Sequence, residues 1–132
     1  MGKTTAKEVK KVYTIQLEDD LGKVVIADEV VGVVAGLAAV EVEGVASMAG
    51  NITKDLISKL GRKTLAKGVK VDIVEDVVTV AMSINLKYGY NVVKVCKKVQ
   101  DKAKTAIENM TGLTVADINI RVAGIEVEEE KQ

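Results

Sequence analysis

Histidine, proline, phenylalanine and tryptophan are absent from this 132-residue chain. Cysteine occurs once, at Cys96, and Tyr13, Tyr88 and Tyr90 are the only aromatic residues. Each absence removes a class of chemistry. Without histidine the chain has almost no vocabulary for a zinc site, and neither a Ser-His triad nor a Cys-His pair can be assembled. A single cysteine excludes an internal disulfide framework and fits a reducing compartment. Three tyrosines leave almost no platform for stacking nucleic-acid bases. The core must therefore be built of Val, Ile, Leu, Ala and Met. The longest uncharged run, Val30 to Val40, has eleven residues, where a bilayer-spanning helix takes ~20. The N-terminus lacks the apolar core of a signal peptide, and Ala6 stands where a myristoylation signal carries Ser or Thr. A cytoplasmic protein with no membrane span of its own is expected.

What is present is an ordinary globular balance, 48% apolar and 29% charged, enough for one domain with a real core. Nineteen basic residues cancel nineteen acidic ones, so net charge draws the chain to no polyanion. The charges are nevertheless segregated. Lys54, Lys59, Arg62, Lys63, Lys67 and Lys70 face Asp55 alone between residues 54 and 70, while residues 18 to 29 and the tail from Glu126 are acidic. Runs of this kind are usually solvated faces, yet they create local fields on a neutral protein.

Residues 1–22 read as a polar segment with a small hairpin formed by the alternation from Val12 and by "KVVI". From Asp28, apolar residues recur at helical spacing through Val30, Val33, Val34, Leu37 and Ala38, predicting a helix over 28–41 with Asp28 as cap or as a dipole partner. Gly32, Ala35, Gly36 and Ala39 would let it lie close to a sheet. A short strand follows around Val45 to Met48, then a short amphipathic helix through Ile52, Leu56, Ile57 and Leu60, closed by Gly61. Alternation from Val69 and from Val78 to Leu86, broken at Glu75-Asp76, predicts an antiparallel hairpin with one buried face. Asn91 caps a second long helix, Gly112 ends it, and Val92, Val95, Cys96, Val99, Ala103, Ala106, Ile107 and Met110 form its apolar stripe. A last strand spans Thr114 to Val122. The expected fold is an α+β two-layer sandwich, two long helices on one face of a mostly antiparallel sheet, with a short extra helix. The strand order stays open.

No residue set forms a catalytic centre. Cys96 falls on an apolar stripe with no base to activate it, and reads as a small buried hydrophobe. Ser47 has glycines three residues away on either side, which is not the spacing of a nucleophile elbow. Glu75-Asp76 and Asp19-Asp20 are adjacent acids in predicted turns and read as solvated side chains. No two glycines lie two or three apart, which excludes dinucleotide and P-loop fingerprints and the Gly-x-x-Gly clamp of a KH domain. No cofactor or metal ligand set is expected.

Three blocks, "KVVIADEVVGVVAGLAAVEVEGVASMAG", "LGRKTLAKGVKV" and "INLKYGYNVVKVCKKVQDKAKTAIENMTGLTVADINIRVAGI", resemble in content and order the alkaline shock protein family of cell-envelope stress-response proteins, found mainly in Gram-positive bacteria. The resemblance covers residues 23–125, leaving 126–132 as an acidic tail. It implies a small cytoplasmic α+β protein that is not an enzyme and has no catalytic residues to transfer. Some members gather at the inner membrane face through a membrane-anchored partner. Some carry Pro where Asp28 stands here, which alters the helix cap. The implied function is a noncatalytic scaffold or adaptor in envelope stress or envelope homeostasis, through self-association or a membrane-anchored partner. Its candidate partner-binding residues are Arg62, Lys63, Lys67 and Lys70. Four such cations on an anionic bilayer contribute ~4 kcal/mol, a transient contact, so a protein partner is favoured over lipid alone. The alternative, a nucleic-acid-binding regulatory module, would use the same cations with Lys94, Lys97, Lys98 and Lys102; the absent base platforms make it the less favoured reading.

Overall fold

The structure, a computed structural model, describes residues 21–48 and 68–127, together with the backbone of 12–16. Strand β1 (Val12–Gln16) pairs antiparallel with β2 (Lys23–Ala27) in a two-stranded ribbon. Helix α1 (Asp28–Val40) follows β2 without a break, its N-cap Ala27 extended and making no side-chain cap bond. Asp28 and Glu29 occupy the first turn instead, where acidic charge meets the positive end of the helix dipole.

Strands β3 (Val45–Met48), β4 (Val69–Val74), β5 (Val77–Lys87) and β6 (Thr114–Glu126) form the main sheet, and helix α2 (Val92–Thr111) connects β5 to β6. The central strand is β5, in which Val78, Val80, Met82, Ile84 and Leu86 are buried, the alternation expected of a strand with one covered face. β6 runs parallel to β5 along its whole length. The other edge of β5 is shared: β4 pairs antiparallel with its first half and β3 with its second. A two-residue turn joins β4 to β5, with Glu75 at φ 49° and Asp76 at φ 72°, the left-handed pair that a type I′ hairpin requires.

Both helices cover one face of this sheet. α1 packs on α2, β3 and β4, and α2 on β6. Asn91 Oδ1 accepts the Lys94 N–H at 3.0 Å, opening α2, and Gly112 at φ 77° closes it. The buried seam of α2 is Val95, Val99, Ala103 and Ile107. Val92 and Met110, members of the expected stripe, are exposed. On α1 the buried face is Val31, Val34, Ala35, Ala38 and Ala39, whereas Val30 is exposed and Val33 and Leu37 half-buried. The spacing through Val30, Val33 and Leu37 therefore marks the outer flank of a helix that is apolar on nearly every side, and its small residues lie on the sheet. β6 extends to Glu126, four residues beyond the expected end, with bulges opposite Val78/Thr79 and Ile84/Asn85. The short helix expected around Ile52 to Leu60 lies outside the described residues.

Candidate docking surface

Along the outer flank of α1, Val30, Val33 and Leu37 face Ala106 and Met110 of α2 across a groove of about 640 Å³. Glu41 and Lys102 meet at one end of it in an ion pair of 3.5 Å, both about half exposed, and Glu29 and Ala27 lie at the other. Val30 is 45% and Met110 70% exposed. An apolar trough rimmed by a few charges has the composition of a docking site for an apolar side chain or a helix face. Ala27, the last residue of β2, lines the groove, and Leu21, Val24 and Val25 ahead of it are exposed. Val24 and Val25 are consecutive and so point to opposite faces of the ribbon.

The opposite face of the main sheet, which carries no helix among the described residues, is polar. Cross-strand register sets Lys70, Ala81 and Asn119 in one row and Asp72, Thr79 and Asp117 in the next, while Arg121 stands beside Ser83. Lys70 and Arg121 border a shallow depression of about 390 Å³. Further along, the fully buried Ser47 donates its hydroxyl to Glu126 Oε2 at 3.1 Å and accepts from Asn85 Nδ2 at 2.9 Å. This cluster ties β3, β5 and β6 together, and Ser47 is a structural residue of the β3 strand.

Of the four candidate contact cations, Lys70 is exposed on β4, on the sheet face opposite α1 and α2. Arg62, Lys63 and Lys67 lie outside the described residues. Lys94, Lys97, Lys98, Lys102 and Lys104 are exposed along α2, with Lys102 engaged by Glu41. Cys96 is half-buried and not fully enclosed, and burial pushes its thiol pKa up, away from the reactive thiolate. The Tyr90 hydroxyl donates to Glu43 Oε2 at 3.3 Å. Its pKa is raised above the usual tyrosine value chiefly by the Glu43 charge, then by burial and by that hydrogen bond. No three metal-ligating side chains cluster among the described residues. No helix among them is long and apolar enough to cross a membrane. Sequence reasoning missed the groove, although its signal was there: α1 carries more apolar residues than one buried face can use.

The family model described as Asp-23, cell envelope-related function, matches residues 16–127. YqhY of Bacillus subtilis, an uncharacterized protein, is 40% identical over 85% of this chain and 83% of its own length. YloU of the same organism is 34% identical over 86% of this chain and 97% of its own. A stress response regulator gls24 homolog of Streptococcus pyogenes is 26% identical over 97% of this chain and 68% of its own. Among solved structures a MamM CTD variant matches at a TM-score of 0.47 and 14% identity, over 75% of this chain and 96% of that one, a likeness too distant to carry an inference.

Proposed function

Because the chain belongs to the Asp-23 family, whose function is cell envelope-related, we propose that it is a noncatalytic adaptor of the envelope stress response that docks a membrane-anchored protein at the inner membrane face. The observation that carries this reading is the groove between α1 and α2, where Val30, Val33, Leu37 and Met110 present apolar surface. Fully burying one such side chain is worth ~1.5–3 kcal/mol, against an association cost of ~4–15 kcal/mol, so several must be covered together for a lasting complex. Arg62, Lys63, Lys67 and Lys70 are proposed as a second contact, whose charges raise the encounter rate with an acidic partner more than the final affinity.

The test is capture from a detergent-solubilised lysate of the source cell with three baits: wild type, Met110→Glu, and an Arg62→Glu, Lys63→Glu, Lys67→Glu variant, each checked for intact folding. Loss of one membrane protein with Met110→Glu supports docking in the groove, and its loss with the triple variant supports the basic contact. Retention of the same partners by all three baits contradicts both surfaces. Recovery of nucleic acid alone, with affinity falling steeply as salt rises, replaces the adaptor reading with the nucleic-acid one.

A further inference from the structure

We propose that the outer edge of β6 pairs with the same strand of a second copy of this chain, in an antiparallel two-fold dimer centred on Asn119. The geometry of the β4–β5 turn establishes which backbone groups are available. In a two-residue hairpin the residues flanking the turn, Val74 and Val77, form a hydrogen-bonded pair. Odd-numbered residues of β5 therefore direct their backbone groups toward the edge shared by β4 and β3, and the Lys87 N–H donating to the Gly44 carbonyl at 2.8 Å keeps that parity at the far end. Val80, Met82 and Ile84 consequently face β6. In a parallel ladder such residues bond to the neighbours of their partners, so the partners Ile118, Ile120 and Val122 turn their own backbone groups outward.

Two side chains of α2 mark this edge. The Glu108 carboxylate accepts the Val115 N–H at 3.0 Å, and the Gln100 amide donates to the Ile118 carbonyl at 2.9 Å. Beyond them, among the described residues, β6 pairs with β5 alone. Exposed edges are ordinarily guarded by charged side chains, lysine above all, by proline, by bulges or by a very short strand. The stretch from Asp117 to Val122 lies between the two bulges of a thirteen-residue strand and contains neither lysine nor proline; its two charges are of opposite sign, so they oppose only those registers that do not pair them.

The pattern of that stretch is self-complementary. Antiparallel pairing about Asn119 sets Asp117 opposite Arg121 of the partner subunit, and by symmetry does so twice, with Ile118 opposite the partner's Ile120. Ile118 and Ile120 both offer outward backbone groups, so the register can hydrogen-bond. A shift that places outward residues opposite inward ones cannot, and the next permitted register, centred on Ile120, separates the charges. The Ile118 carbonyl has two lone pairs and can keep the Gln100 bond. The outer edge of β4 offers only a shorter counterpart, Lys70 and Asp72 about Val71. This dimer stands apart from the adaptor reading, since groove and β6 edge are different surfaces.

The experiment is sedimentation velocity of the full chain over a concentration series, with circular dichroism as the check on folding. Asp117→Arg and Arg121→Asp each create two like-charge pairs, so each is expected to weaken the dimer by roughly tenfold or more. An equimolar mixture of the two variants is expected to dimerise again, because every introduced charge then meets its opposite. Asn119→Cys in a Cys96→Ser background is expected to give a disulfide-linked dimer on mild oxidation, since a non-hydrogen-bonded pair holds its Cα atoms about 4.5 Å apart. A chain that stays monomeric at every concentration overturns the proposal and leaves the adaptor reading intact. So does a dimer indifferent to both charge variants and without the Asn119→Cys cross-link; if Lys70→Asp breaks that dimer, the β4 edge is the seam.

Discussion

Replacing Gly44 with alanine should be among the most damaging one-carbon changes in the molecule. Gly44 sits at φ 102°, between the end of α1 and the start of β3, and a Cβ there would lie 2.9 Å from both Tyr90 Cδ2 and Val95 Cγ2. Two costs add. Holding a non-glycine residue at that φ takes ~1–3 kcal/mol, and inserting a methyl into a packed site takes a further ~1–3 kcal/mol. The Tyr90 ring is partly exposed and can swing aside, but Val95 is buried at the first turn of α2 and cannot. A loss of about 2–6 kcal/mol is therefore expected, read as a lower urea midpoint at unchanged m. In a Tyr90→Ala background the penalty of Gly44→Ala should shrink only in part, because the Val95 contact and the backbone angle remain. A change below ~0.5 kcal/mol in wild type, or complete rescue by Tyr90→Ala, would refute this reasoning.

Ser47→Ala should cost about 1–2 kcal/mol in the same assay, because it removes the acceptor for the Asn85 amide and the donor to Glu126 from a fully enclosed site. The paired change Glu75→Asn and Asp76→Gly should stabilise the hairpin by ~0.5–1 kcal/mol, since both positions lie at positive φ where Asn-Gly is favoured; no gain in thermal midpoint would count against the turn assignment. Stability should fall in alkali, because the Cys96 and Tyr90 pKa values are both raised in the folded state. Their contributions are complete below the unfolded-state values and disappear as pH climbs through the folded ones, above about pH 8.5 for the thiol and about pH 10 for the phenol. Unfolding curves between pH 7 and 11 check this, and Cys96→Ser should remove the earlier part of the decline.

The strands and helices were legible where one face is buried and the other wet. Val78 to Leu86 alternates with period two and folds as read; Asn91 and Gly112 bracket α2 as cap and stop. The rotation of α1 was legible in its small residues, read as the side that lies close to a sheet, and not in its periodicity, because with Val30, Val31, Val33, Val34 and Leu37 all apolar the spacing admits two faces. Which one is buried was decided by the close approach that Gly32, Ala35, Gly36 and Ala39 allow. The same ambiguity hid the groove. Strand order is a tertiary property: nothing local in Thr114–Glu126 says that α2 carries the chain back so that β6 lies parallel to β5 and, among the described residues, at an edge. Arg62, Lys63 and Lys67 were singled out by charge alone, and charge does not specify a contact.

The adaptor account is tested most directly by photocrosslinking in the source cell, with a benzophenone side chain at Met110 in the groove and, as the control, at Glu75 in the hairpin turn. One discrete membrane-protein adduct is expected from Met110 and none from Glu75. Equal labelling from the two positions, or no adduct from Met110 under envelope stress, would contradict it.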